Sequence, residues 1–173
     1  MTLRFSSRSE VPAECEAAAR KLGARPLGQV GKTCLVGEDH GEFGAAVHVI
    51  EGGASRKLSD VTPVALVFRG EEVLLLEGLE HLRSAGSLAR LSADAGKTWE
   101  YVHLAELPAY PIAWAVDGRN LLVAVRESDD STPCDSPRAG DKERPVFVVT
   151  GGGEVLRVPD VEGDRCPPPS PDH

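Results

Sequence analysis

The eight residues from Ser92 to Trp99, SADAGKTW, constrain this chain more than any other stretch. They have the make-up of a tight turn between two β-strands. Asp94 is placed to accept hydrogen bonds from backbone N–H groups of its own turn. Gly96 tolerates a positive φ that residues with a Cβ resist. Thr98 bonds locally, and the Trp99 ring anchors the turn to a sheet by burial. SLARLS leads into the turn and TWEYVHLAEL leads out of it. Apolar positions between Trp99 and Leu104 do not alternate cleanly, so the facing of that second strand stays open.

Strand signals dominate the rest of the chain. VTPVALVF (61–68) is rich in β-branched and apolar residues, and EEVLLLEG follows it after Arg69 and Gly70. PIAWAVDGRNLLVAVRE reads as two strands around Asp117-Gly118, a strong hairpin signal. RPVFVV and EVLRVPDV flank the glycine-rich turn from Thr150 to Gly153. Earlier in the chain, KTCLVGED, GAAVHVIE and SRKLSDV have strand character, separated by HGEFG and GG. One segment looks helical. Ser9 is the expected cap of a helix through PAECEAAARKL, with Gly23 stopping it.

These segments fall into three units, about 25–60, 61–107 and 110–161, each with room for up to four short antiparallel strands. A period of about 40–50 residues with four strands per unit is the signature of a propeller blade. The expected fold is mainly all-β: a small, incomplete or three-bladed propeller-like repeat of antiparallel sheets with a short N-terminal helix. The expected organisation is an N-terminal segment (1–24), a β domain (25–163) and a proline-rich tail (164–173). Three blades do not close a ring of ordinary size, so two chains completing a six-bladed ring, and hence a homodimer, is one expectation.

Ser92, Asp94, Gly96, Thr98 and Trp99 match the pattern Ser/Thr-x-Asp-x-Gly-x-Thr-Trp at every defined position. The segment therefore resembles the Asp-box (BNR) repeats of sialidases, sortilin-type receptors and several bacterial propellers. The likeness is firm over that one turn and loose over about 100 residues; the third unit has TGGGEVL at the equivalent turn. In such proteins the box lies on the periphery, which implies a structural role for Asp94. A sialidase would need an arginine cluster, a tyrosine nucleophile and paired carboxylates. Tyr101, Tyr110 and scattered arginines are present, but no FRIP-like start is.

Composition narrows the function. The 173 residues carry a net charge of -8, which disfavours nucleic-acid binding and would favour a basic partner. No apolar run is long enough to span a bilayer, so membrane insertion is not expected. The N-terminus lacks the apolar stretch of a secretory leader, so the expectation is either a cytoplasmic chain or a mature periplasmic or secreted form, with Met1 native or engineered. Of the three pairings open to four cysteines, the favoured one joins Cys15 to Cys34 and Cys134 to Cys166; the alternative is four reduced thiols. Disulfides imply an oxidising compartment.

No catalytic motif emerges. His40, His48, His81, His103 and His173 make no HxH or HExxH spacing, and the acidic groups Glu38, Asp39 and Glu42, or Asp129, Asp130 and Asp135, do not follow an EF-hand. Neither a metal nor a cofactor is expected. Function is sought in two loops, 78–87 and 128–144, with His81, Arg83, Ser84, Ser87, Asp129 and Asp130 as candidate partner-binding residues. The preferred expectation is a non-catalytic binding protein. Its concrete version is a periplasmic inhibitor or immunity protein that blocks a secreted hydrolase, since small disulfide-bonded propeller-like immunity proteins are known. The alternatives are a carbohydrate-active or carbohydrate-binding fragment of a sialidase-like protein, and an assembly factor of the photosystem-stability type.

Overall fold

The computed structural model of this protein describes residues 11–40, 44–79, 85–93, 98–126 and 145–158. Within them lie one helix and twelve strands, arranged as three four-stranded antiparallel sheets. Sheet 1 holds β1 (Arg25–Val30), β2 (Thr33–Asp39), β3 (Ala45–Glu51) and β4 (Ala54–Ser59). Sheet 2 holds β5 (Pro63–Arg69), β6 (Glu72–Leu79), β7 (Ala85–Ala93) and β8 (Trp99–Leu107). Sheet 3 holds β9 (Tyr110–Asp117), β10 (Asn120–Arg126), β11 (Val146–Val149) and β12 (Val155–Val158). Each sheet is a meander in which sequence neighbours pair. The sheets fall on the three sequence units almost residue for residue. No closed barrel or propeller ring is formed by the described residues.

Alternation along the strands gives sheet 2 two apolar faces, and each meets a neighbour. Leu66, Val73, Leu75, Ala89, Leu91 and Trp99 pack against Leu27, Leu35, Val47 and Val49 of sheet 1. Ala65, Val67, Leu74, Leu76, Leu88, Ala105 and Leu107 pack against Trp114, Leu121, Val123, Val125 and Val149 of sheet 3. The run Val73 to Leu76 of β6, apolar and buried at successive positions, is what a strand buried on both faces requires. Sheet 2 is thus the middle layer of a face-to-face stack.

The facing of β8 resolves through a bulge. The β7–β8 register shifts between Leu88 and Ala89, opposite Ala105 and His103. The extra residue reverses the phase of the strand. Trp99 and Tyr101 therefore face sheet 1, while Ala105 and Leu107 face sheet 3.

Three sequence expectations need correction. The helix α1 (Ala13–Leu22) begins after Pro12, which makes no side-chain cap bond; Ser9 lies outside the described residues. Its stop is as expected, with Gly23 at φ 66 in the left-handed region. Strand β1 carried no clear strand signal, because Pro26 and Gly28 interrupt it and the β1–β2 register shifts between them. The β9–β10 hairpin closes on the pair Asp117–Asn120, so its two-residue turn is Gly118-Arg119, one residue later than expected.

The helix packs on β1 and β2, and Cys15 and Ala19 on its inner side are fully buried. Cys15 is joined by a disulfide to Cys34 in β2, with a Cα–Cα separation of 5.4 Å. Cys34 alternates with Leu35 and so projects from the face of sheet 1 opposite sheet 2. The helix therefore covers the β1–β2 side of the outer face of sheet 1. Cys134 and Cys166 lie outside the described residues. Among the described residues, no helix is long and apolar enough to cross a membrane.

Candidate functional site

A meander alternates its connections between two edges. In all three sheets the first-to-second and third-to-fourth connections leave from one edge, and the second-to-third connections leave from the other. The first is a turn edge, with two-residue connections at Gly31-Lys32, Gly52-Gly53, Gly70-Glu71 and Gly118-Arg119 and five-residue ones at 94–98 and 150–154. The second is a loop edge, where the connections 40–44, 80–84 and 127–145 depart. Only residues 60–62 separate β4 from β5, and 108–109 separate β8 from β9, so the loop edges of the three sheets lie side by side.

Side-chain contacts tie that edge together. Arg25, at the start of β1, donates to the carbonyls of Pro63 (2.6 Å) and Val64 (3.1 Å) at the start of β5. The Tyr110 ring of sheet 3 lies flush on Gly78 of sheet 2, where any Cβ would overlap it. The Arg126 guanidinium stands 5.5 Å from the centroid of the same ring, within cation–π range. Burial pushes the Tyr110 phenol up, opposed by the positive charge of Arg25 and reinforced by Asp39. Tyr110 thus senses all three sheets.

A second polar group lies on the sheet-1 side of sheet 2. Glu77 is buried, with 5% exposure. It pairs in register with Ser87 of β7, whose hydroxyl donates to Glu77 Oε2. Among the described residues its Oε1 has no hydrogen-bond partner within bonding geometry. Burial raises the Glu77 carboxyl above the ordinary carboxylate value, against the lowering contributed by Ser87, Tyr101 and His103. Burial, and then the Glu77 carboxyl itself, raise the Tyr101 phenol. His103 Nε2 lies 3.3 Å from Glu106 Oε1 at the exposed margin of this group.

This arrangement predicts a pH dependence. A carboxyl whose folded pKa is raised favours the fold below its unfolded pKa and loses that contribution as pH rises through the folded value. Stability should fall with pH from the ordinary carboxylate range upward. Glu77→Gln, which cannot ionise, should remove that slope and match or exceed the parent protein at neutral pH. Urea midpoints measured from about pH 4.5 to 8 check this; parallel curves for the two proteins would refute it.

Of the sequence-predicted site residues, Ser87 stands in β7 and gives its hydroxyl to Glu77. His81, Arg83, Ser84, Asp129 and Asp130 lie outside the described residues, but both of their loops depart from the loop edge. In SADAGKTW, Ser92 is exposed near the end of β7, Thr98 is exposed, and Trp99 opens β8 with 7% exposure, paired with Ala93. Asp94 and Gly96 lie outside the described residues. This turn belongs to the turn edge, remote from the two loops. His48 and His40 both approach Glu38 Oε2, at 3.5 and 3.7 Å. Among the described residues, no three metal-ligating side chains converge. Glu77 and Arg25 were not singled out in the sequence, because neither their spacing nor their neighbours marks them, and Tyr110 was noted only as one of two tyrosines weighed against a sialidase nucleophile. Comparisons with protein-family models, with curated proteins and with solved structures give no match.

Proposed function

We propose that the three sheets are blades of a small, open propeller-like stack, and that the protein is a non-catalytic binding protein that engages another protein through its loop edge. The carrying observation is that the 127–145 connection, much the longest, leaves the same edge as the 40–44 and 80–84 connections, so three loops depart side by side. Contacts between β1 and β5 and between β5 and β9, with matching contacts between β4 and β8 and between β8 and β12, support the blade-like arrangement. A rigid β scaffold presenting several loops side by side is a common platform for recognition. The net charge of -8 suits a partner with a basic face. The Cys15–Cys34 disulfide suits an oxidising compartment, such as the periplasm. In its specific form the partner is a secreted hydrolase that the protein inhibits.

The test couples capture to inhibition. Protein immobilised through the turn edge is exposed to the secreted fraction of its source cell, and the retained proteins are assayed for hydrolase activity with and without free inhibitor. Glu106→Lys, at an exposed position near the loop edge, should weaken capture about tenfold or more, as a charge reversal in an interface does. Glu100→Lys, near the turn edge, should leave capture unchanged. Equal effects from the two substitutions, or cleavage of a sialoside by the purified protein, would overturn the proposal.

A further inference from the structure

Among the described residues, three buried side-chain polar atoms have no hydrogen-bond partner: His48 Nε2, Ser59 Oγ and Glu77 Oε1. His48 pairs with Val36 and Lys57 on the face of sheet 1 turned away from sheet 2, and its Nε2 has Glu38 Oε2 3.5 Å away. The other two atoms come from different sheets, and register brings them to one place.

Ser59 pairs with Val47, which is fully buried against sheet 2. The β3–β4 register shifts beside that pair, and the extra residue, Leu58, packs on the same core. Ser59 therefore faces sheet 2 and ends the cross-strand row Gly37–Val47–Ser59. The facing row of sheet 2 is Pro63–Glu77–Ser87. The two rows meet at Gly37, where a Cβ would overlap the Pro63 ring. Neighbouring strands are about 4.8 Å apart in both sheets. One strand on from that contact, Val47 stands over Glu77; two strands on, Ser59 stands over Ser87. Contacts between β4 and β8 hold the sheets together on that side. The Glu77 carboxyl bonds Ser87 and Tyr101, so it leans from β6 toward β7 and β8, to the side of Ser59.

We infer that one internal water molecule bridges Glu77 Oε1 and Ser59 Oγ, and so hydrogen-bonds sheet 2 to sheet 1 at their loop edge. Buried polar atoms without partners are costly, and internal waters sit where two or more of them converge. Two such atoms in one interlayer, not bonded to each other, fit a water between them. Water also suits the chemistry of the carboxyl. Burial raises it above the ordinary carboxylate value, and a water donates to its ionised form and accepts from its protonated form. A metal ion is a poorer occupant, because no three metal-ligating side chains converge among the described residues. The 40–44 and 80–84 connections leave sheets 1 and 2 at this edge, so the bridge sets the spacing between them.

The full-length chain, labelled at its methyl groups, tests this by NMR. The Val47 methyls are expected to show a nuclear Overhauser contact to a water that stays bound for longer than the protein takes to tumble. Ser59→Val removes the hydroxyl and fills its space. It should abolish that contact and speed amide exchange at the loop-edge ends of β4 and β7 several-fold. Glu77→Gln keeps a polar partner for the water and should retain the contact. Absence of a long-lived water at Val47 in the parent protein, or a contact that Ser59→Val leaves unchanged, would overturn the inference. So would a crystal structure in which Glu77 Oε1 bonds Ser59 Oγ directly or a cation stands between them.

Discussion

Replacing both Cys15 and Cys34 with alanine is expected to lower the unfolding free energy by about 3 kcal/mol, the loop-entropy value for a cross-link of this span. The two residues are 19 apart in sequence. A ten-residue helix has little stability of its own in water, so α1 depends on what it packs against. Only Cys15 and Ala19 of the helix are buried, which leaves the cross-link as a large share of its anchorage. For a chain of this size the loss corresponds to roughly 6–12 °C in Tm. Reductant should produce the same drop in the parent protein and none in the double variant. Hydrogen exchange should place the loosening first in α1 and then in β1 and β2, on which it packs. A double variant with an unchanged Tm would mean that helix packing alone holds the cap.

The sheet division was legible in the sequence because its signals are local. Each unit repeats strand, short turn, strand, and the turns carry residues such as Gly118 that accept a positive φ, here 59. The double-sided burial of sheet 2 was half legible, in the continuous apolar run of β6, but nothing local says which layers lie above and below it. Strand β1 was obscured by Pro26 and Gly28, and it forms because β2 and the core position of Leu27 hold it in place. The facing of β8 depended on a one-residue bulge, which periodicity alone does not reveal. The pairing of Cys15 with Cys34 was legible by proximity to the same end of the chain.

The site was less legible for the same reason. Arg25, Gly78 and Tyr110 come from three sheets and meet only through the stack. Glu77 reads in sequence as one polar residue at the end of an apolar run. Its burial becomes visible only when Ser87, Tyr101 and sheet 1 surround it. What the sequence did disclose was the position of the long connections. The meander then does the rest, because an antiparallel strand order sends every second-to-third connection to the same edge.

The SADAGKTW turn is the place where sequence signal and function separate, and Trp99→Ala is the substitution that shows it. The ring sits with 7% exposure among Leu27, Leu35, Val47 and Val49 of sheet 1 and Leu66, Val73, Leu75 and Leu91 of sheet 2. Removing a buried aromatic ring of this kind is expected to cost about 3–5 kcal/mol, from lost transfer energy plus the cavity left behind. Ser92→Ala, at an exposed position of the same turn, should cost less than about 0.5 kcal/mol. Domains of ordinary size hold only about 5–15 kcal/mol in all, so the tryptophan variant should sit near its unfolding threshold. Urea melts give both numbers. The turn leaves the edge opposite the 80–84 and 127–145 connections, so any partner captured should bind the folded fraction of Trp99→Ala as tightly as it binds the parent protein. A fall in affinity beyond the loss of folded protein would move the binding surface to the turn edge. A cost under about 1 kcal/mol would mean that the ring does not clamp sheet 2 to sheet 1 and that the aliphatic side chains hold the two layers without it.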